Sequence, residues 1–217
     1  MYFINRFELG GKLAGFVSGL RGSEPIVIPL KESSLSACIA LATEIRGWVY
    51  PLLTEQVRLP GDPRIIGVIN QDGTMCYNPE LSEYDIEAIT MEFRSALDEE
   101  SRLAFSRLNS RTSDYGTLNK DALRGRTVIL CGDIVRDRVE LEAAKQLLKP
   151  IATQKIIGLV GNITPNGSDE LFLETQESKY LDILEHMFDD DHYFEEADKY
   201  TLPEQRLLAM NIAHYWK

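Results

Sequence analysis

The stretch RTVILCGDIVRDRVELEAA, Arg126–Ala144, decides the fold. Thr127–Cys131 is a short, wholly apolar run bounded by basic and Gly residues, the signature of a central strand. Val139–Leu148 has a helical period and stops before Pro150, because the residue ahead of a proline is pushed out of the helical region. A buried strand followed at once by a helix is the unit of an α/β fold. Asp133 sits just past the strand at its carboxyl end, where ligands of open α/β sheets gather. The plainer reading of Asp133, a loop or helix-capping acid, stands beside that one.

Working outward, short apolar runs alternate with longer amphipathic ones. Asn5–Ser18 reads as a first helix with Phe7, Leu13, Ala14 and Val17 as its stripe, weakened by Gly10 and Gly11. Ile26–Leu30 is a strand, Ser33 or Ser34 caps a helix over Leu35–Ile45, and Trp48–Leu53 is the next strand. Asp72-Gly73 between Ile65–Ile69 and Thr74–Tyr77 reads as a hairpin. Ser82–Leu108 is expected as one long helix, with Asp85 completing a loose capping box. Its stripe is read as core or subunit contact. Asn109–Leu123 is polar and turn-prone, the expected mobile segment. Lys155–Val160 is a strand. Ser168–Gln176 then reads as a helix and Tyr180–Leu184 as a strand. Thr201 caps a last helix running to Trp216, with Pro203 in its first turn.

Composition removes several classes. The chain has 217 residues, enough for one large domain, or one domain with a small appendage, and for a core that needs no staples. The 23 Lys+Arg against 34 Asp+Glu give a net charge of −11, which argues against nucleic acid as a partner. No apolar run is long enough to span a membrane, and the start has no secretory pattern. Cys38, Cys76 and Cys131 are neither a disulfide framework nor a zinc site, so a cytoplasmic setting is expected. No nucleophile elbow, Walker loop or GxGxxG is present. Asp189–His192 is read as a solvated acidic turn, and no metal centre is expected; His186 and His214 show no metal spacing with it.

In sequence order, five phrases resemble type I phosphoribosyltransferases of a bacterial branch. They are Asn5–Ala14, Val27–Leu30 followed by Ser33–Ala42, Leu59–Gly67, Leu123–Ala144 and Phe188–Glu196. The resemblance implies a single α/β domain over 1–217, a mainly parallel central sheet with helices on both faces, and a C-terminal extension over about 186–217. It also implies a place in nucleotide metabolism and the dimer common in the family. The family's donor, 5-phosphoribosyl 1-diphosphate, is held with magnesium. A loop after the central strand cradles its 5-phosphate, two adjacent acids hold the ribose hydroxyls, and a second loop with basic side chains holds the diphosphate.

Carried onto this chain, the first loop is Gly132, Asp133, Ile134, Val135, Arg136, Asp137, Arg138, Val139 and Glu140. The diphosphate loop is Lys31, Glu32, Ser33 and Ser34. The chain departs from the family pattern at most stations. Only Asp133 remains of the acidic pair. Asp137 and Glu140 stand where the pattern has Thr, Arg138 replaces a Gly, and Glu32 replaces an Arg. Glu55-Gln56 takes the place of a basic pair. A carboxylate in a phosphate cradle costs roughly one to three decades of affinity per contact. The expectation is therefore a divergent, phosphoribosyltransferase-like protein without the standard transfer, acting as a binding, regulatory or oligomer-partner protein. Asp133 is its candidate catalytic residue should activity remain. The alternative left open is a working enzyme with an anion site rebuilt on Arg136 and Arg138. It would take a phosphorylated sugar or nucleotide, with magnesium as cofactor only if the ancestral reaction is retained.

Overall fold

The computed structural model describes residues 1–115 (side chains through 111), 120–136, 138–196 and 198–212. Along them run α1 (Arg6–Ala14), β1 (Ile26–Pro29), α2 (Leu35–Ile45), β2 (Trp48–Val49), β3 (Thr54–Val57), β4 (Gly67–Asn70) and β5 (Met75–Tyr77). Then come α3 (Glu83–Glu92), α4 (Arg94–Tyr115), α5 (Lys120–Leu123), β6 (Thr127–Val135) and α6 (Val139–Leu148). The last elements are β7 (Lys155–Ile163), α7 (Pro165–Glu174), β8 (Glu177–Ile183) and α8 (Leu202–Met210). Short 3₁₀ turns cover Gly15–Leu20, Glu32–Ser34 and Asp190–Tyr193. The chain divides into two compact units, one of Met1–Pro51, Asn119–Asp137 and Ile151–Lys217, the other of Leu52–Leu118 and Arg138–Pro150.

The first unit holds a five-stranded, all-parallel sheet in the order β2-β1-β6-β7-β8. Numbered among the parallel strands alone, that order is 2-1-3-4-5, so the winding direction reverses between β1 and β6. All nine residues of β6 are buried, as a central parallel strand requires. Helices cover both faces. A Cβ at Gly158 would meet Leu171 of α7 at 2.5 Å, whereas one at Gly161 would meet Leu9 of α1 at 2.9 Å. These glycines are three apart on β7, and an odd separation puts them on opposite faces. Helix α1 in turn lies on α2. A Cβ at Gly10 would fall 2.2 Å from the Ala37 carbonyl oxygen, so the glycine that weakens the helix locally is what lets the two helices touch.

The second unit is antiparallel, with β3-β4-β5 in a meander. Gly73, at φ +76°, makes the turn expected at Asp72-Gly73. Helix α4 packs on β3 and β4 and α6 on β4 and β5. Val139 and Ala143 of α6 join Val68 and Cys76 in its core.

Several boundaries differ from expectation, each for a tertiary reason. The helix expected over Ser82–Leu108 breaks at Phe93 (φ −114°, ψ 23°), where no Pro or Gly announces it. Its capping box at Ser82 and Asp85 is present. Of the apolar residues whose helical period suggested that stripe (Ile86, Ile89, Phe93, Ala96, Leu97, Leu103 and Phe105), Ile89 and Leu97 are buried but Phe93, Leu103 and Phe105 are exposed. The segment expected to be mobile from Asn109 continues α4 to Tyr115. There Arg107 and Arg111 reach Glu55 on β3 at 2.9 and 2.8 Å and secure a helix with little apolar surface. The rest of that segment, 116–119, lies outside the described residues. The strand expected over Trp48–Leu53 is only Trp48–Val49, since Pro51 lacks the N–H to extend a ladder. Helix α7 starts earlier than expected, at Pro165, because Thr164 caps it by accepting from Gly167 N at 3.1 Å. Strand β8 also starts earlier, at Glu177. Helix α8 begins at the expected cap and ends at Met210. Residues 213–217, with His214 and Trp216, lie outside the described residues.

Candidate functional site

Strand β6 runs four residues past its expected end. Gly132, Ile134 and Val135 pair with Val160, Asn162 and Ile163 of β7, so Gly132 and Asp133 stand in a ladder where a loop was expected. The β1–β6 ladder stops at Pro29–Cys131. Residues 132–135 therefore project beyond β1, at the carboxyl end of the sheet and at the reversal of winding. A crevice forms at such a point in open α/β sheets.

The nine-residue loop expected at 132–140 is thus short. Its first four residues are strand and its last two are helix. Asp137 lies outside the described residues. Arg138, Val139 and Glu140 begin α6, in the second unit. The stations that stay at the sheet's carboxyl end are Gly132–Arg136 and, from β1, Lys31–Ser34.

Asp133 has no solvent exposure. Its Oδ1 accepts from the Ser34 hydroxyl at 2.7 Å, from Ile134 N at 2.8 Å and, longer, from Ser33 at 3.4 Å. Its Oδ2 accepts from Arg6 Nε at 2.7 Å. Ser34 also accepts from Asp133 N at 3.1 Å. The Ser34 hydroxyl, expected to cap α2, makes no cap bond and serves Asp133 instead.

Arg6 reaches this point from the first turn of α1 and is almost fully buried. Besides Asp133 it meets Asp191 at 2.7 Å and Asp198 at 3.6 Å. Its guanidinium carbon stands 4.3 Å above the Phe194 ring centre. Burial works against the Arg6 charge, but the attraction and hydrogen bonds of Asp133 and Asp191 outweigh it and hold Arg6 above its ordinary pKa. Burial raises the Asp198 carboxyl, partly offset by Arg6.

A second group lies nearer to water. Asp190 accepts from Arg136 at 3.1 Å (Nε) and 2.8 Å (Nη2), and its other oxygen is 3.8 Å from Lys31 Nζ. Arg136 also donates to the Phe188 carbonyl. Arg206 of α8 meets Glu32 at 2.8 Å. The Asp189–His192 stretch is largely solvent-exposed, as the acidic-turn reading expects, and it also delivers two carboxylates to arginines, the exposed Asp191 to Arg6 and the half-buried Asp190 to Arg136. Aromatic packing holds it. The Tyr193 hydroxyl accepts from Phe188 N at 3.0 Å, and Tyr2 hydrogen-bonds His192 Nε2 at 2.9 Å.

The structure therefore brings together Lys31–Ser34, Asp133 and Arg136. It adds Arg6, Asp198 and Arg206, which sequence reasoning passed over, and Asp190 and Asp191, which it read only as part of an acidic turn. The signals were an arginine on the buried face of α1 and a run of three aspartates. Neither names its partner, because the pairs are 127 and 185 residues apart. Cys131 and Cys38 are buried free thiols, and burial raises the Cys38 pKa.

No family model matches the chain, and no curated protein matches it. Among solved structures it is similar to TT1426 from Thermus thermophilus, with a TM-score of 0.74 at 21% identity over 97% of this chain and 99% of that one. That likeness establishes a shared fold over nearly the whole length, and fold does not imply function. A hypoxanthine phosphoribosyltransferase from Staphylococcus aureus aligns at a TM-score of 0.45 and 11% identity, over 85% of this chain and 77% of that one. A hypothetical protein from Neisseria gonorrhoeae with bound ppGpp aligns at 0.44 and 10%, over 89% and 92%. Scores below 0.5 carry no argument about this chain. What stands is an α/β architecture with a parallel central sheet. Among the described residues, no helix is long and apolar enough to cross a membrane.

Proposed function

We propose that this chain is a divergent phosphoribosyltransferase-like protein that does not carry out standard phosphoribosyl transfer and serves as a binding, regulatory or oligomer-partner protein. The proposal reads residues 1–217 as one domain of that kind. One observation carries it. At the carboxyl end of the sheet, Arg6, Arg136, Lys31 and Arg206 all face carboxylates of the chain itself. An arriving diphosphate would have to displace those carboxylates. The acid aligned with the family's ribose-binding pair, Asp133, is sealed from water by Arg6 and Ser34. The residues do not fit a magnesium-held donor as they stand, because Asp133 and Asp190 are already committed to cations. The test is turnover of 5-phosphoribosyl 1-diphosphate with magnesium and a panel of nucleobases. No consumption of the donor is expected, and measured transfer to any base would overturn the proposal.

A second reading keeps an active enzyme on a phosphorylated small molecule, with a rebuilt anion site. It is favoured by the convergence of Lys31 and Arg136 on one point at the reversal of winding. Under it, turnover exists and Arg136→Gln abolishes it.

A further inference from the structure

We infer that a cavity where α1, α2 and α8 meet binds a small molecule with an aromatic or apolar body and one ammonium group. The cavity lies within the first unit and shares no residue with the Arg6–Asp133 and Arg136–Asp190 groups. The inference goes beyond the reading of the sheet's carboxyl end and does not rest on it.

Shape supplies the first reason. The cavity has a volume of about 370 Å³, within the range of small-molecule sites. Its walls include Phe7 of α1, Ala40 of α2, Leu208 of α8 and Tyr200 just ahead of α8. The Phe7 and Tyr200 rings meet at 63° with centres 5.7 Å apart, so two aromatic surfaces form a corner. Gly11 keeps the space open. Its neighbour Gly10 is needed for the contact of α1 with α2, but a Cβ at Gly11 would meet nothing within 4 Å. Packing therefore does not require a glycine at position 11, and glycine weakens a helix. What its missing side chain leaves is room beside Phe7.

Charge supplies the second. Glu44 is the one charged residue among those lining the cavity, and it is exposed. It has no hydrogen-bond or ion-pair partner among the described residues. It stands in the last turn of α2, at the negative end of the helix dipole, where no basic residue offsets it. A carboxylate beside two aromatic faces suits a cation, which both attract. The Lys199 ammonium already stands 5.5 Å from the Tyr200 ring centre without lining the cavity.

NMR titration of the full chain at low salt tests this with two probes of one body and opposite charge, phenethylamine and 3-phenylpropionate. Phenethylamine is expected to saturate at about 1–10 mM, as suits so small a fragment. The acid is expected to bind roughly tenfold more weakly or not at all, the effect of reversing one charge near Glu44. Glu44→Gln should weaken phenethylamine roughly tenfold. Gly11→Leu should abolish its binding while the urea midpoint holds or rises, since leucine favours a helix over glycine. Tyr200→Leu keeps an apolar wall, removes a ring and should weaken phenethylamine severalfold. The inference falls if phenethylamine does not saturate, if 3-phenylpropionate binds as tightly, or if neither Gly11→Leu nor Tyr200→Leu, once shown to be folded, weakens binding.

Discussion

Arg6 and Arg136 are both held by aspartates of one C-terminal turn, yet their side chains are 6% and 31% exposed. Arg6 comes from a helix on the sheet face and is surrounded by Asp133, Asp191, Asp198 and the Phe194 ring. Arg136 leaves the end of β6 toward water and meets Asp190. The same chemistry therefore has two consequences. A buried pair is costly to break because either partner is left as an uncompensated charge away from water. A half-exposed pair is exchangeable because solvent or another ion can replace either partner. The Arg6 knot holds the N-terminal helix and the C-terminal turn to the sheet. The Arg136 pair lies where a ligand could compete.

Substitutions can break that contrast. The largest effect is expected for Arg6→Met, which leaves Asp133 buried without its cation. Urea unfolding should show a loss of about 3–5 kcal/mol. Ser34→Ala comes next. It removes the hydroxyl that donates to Asp133 and accepts from its N–H, and a loss of about 1–3 kcal/mol is expected by the same measurement. Asp190→Asn should cost about 0–1 kcal/mol, since it breaks only the exchangeable pair. A loss as large as that of Arg6→Met would erase the distinction between the two.

The smallest effect concerns pH. Burial raises the Asp198 carboxyl above its ordinary value, against the pull of Arg6. Between the ordinary and raised values the folded chain holds more proton than the unfolded one. That contribution to stability is fully present below the ordinary carboxylate value and is lost as pH rises through the raised one. Urea midpoints measured from about pH 3.5 to about pH 6 should therefore fall for the natural chain relative to Asp198→Asn. A parallel pair of curves would mean that Arg6 fully offsets the burial.

Much of the fold was legible because its signals are local. β1, α2, the Asp72-Gly73 hairpin and α6 follow from apolar runs, caps and turn residues. The stop at Pro150 and the cap at Thr201 follow as well. What was not legible depends on distant partners. Gly132-Asp133 reads as the start of a loop, but the β7 ladder holds it extended. Asn109–Tyr115 reads as loop, but Glu55 on β3 draws Arg111 into a helix. Ser34 reads as a cap, but Asp133, 99 residues on, takes its hydroxyl. At the site, the sequence showed carboxylates where a phosphate cradle would be expected, Glu32 among them. It did not show that Asp190 and Asp191 would also turn onto the arginines.

The most direct test of the central claim is calorimetric titration of the natural chain with 5-phosphoribosyl 1-diphosphate and magnesium at low salt, with ribose 5-phosphate as the comparison. If the chain's own carboxylates hold the site, the two ligands bind alike and no more tightly than about 1 mM. Saturable binding of the diphosphate at about 1 μM, with ribose 5-phosphate far weaker, would contradict the account.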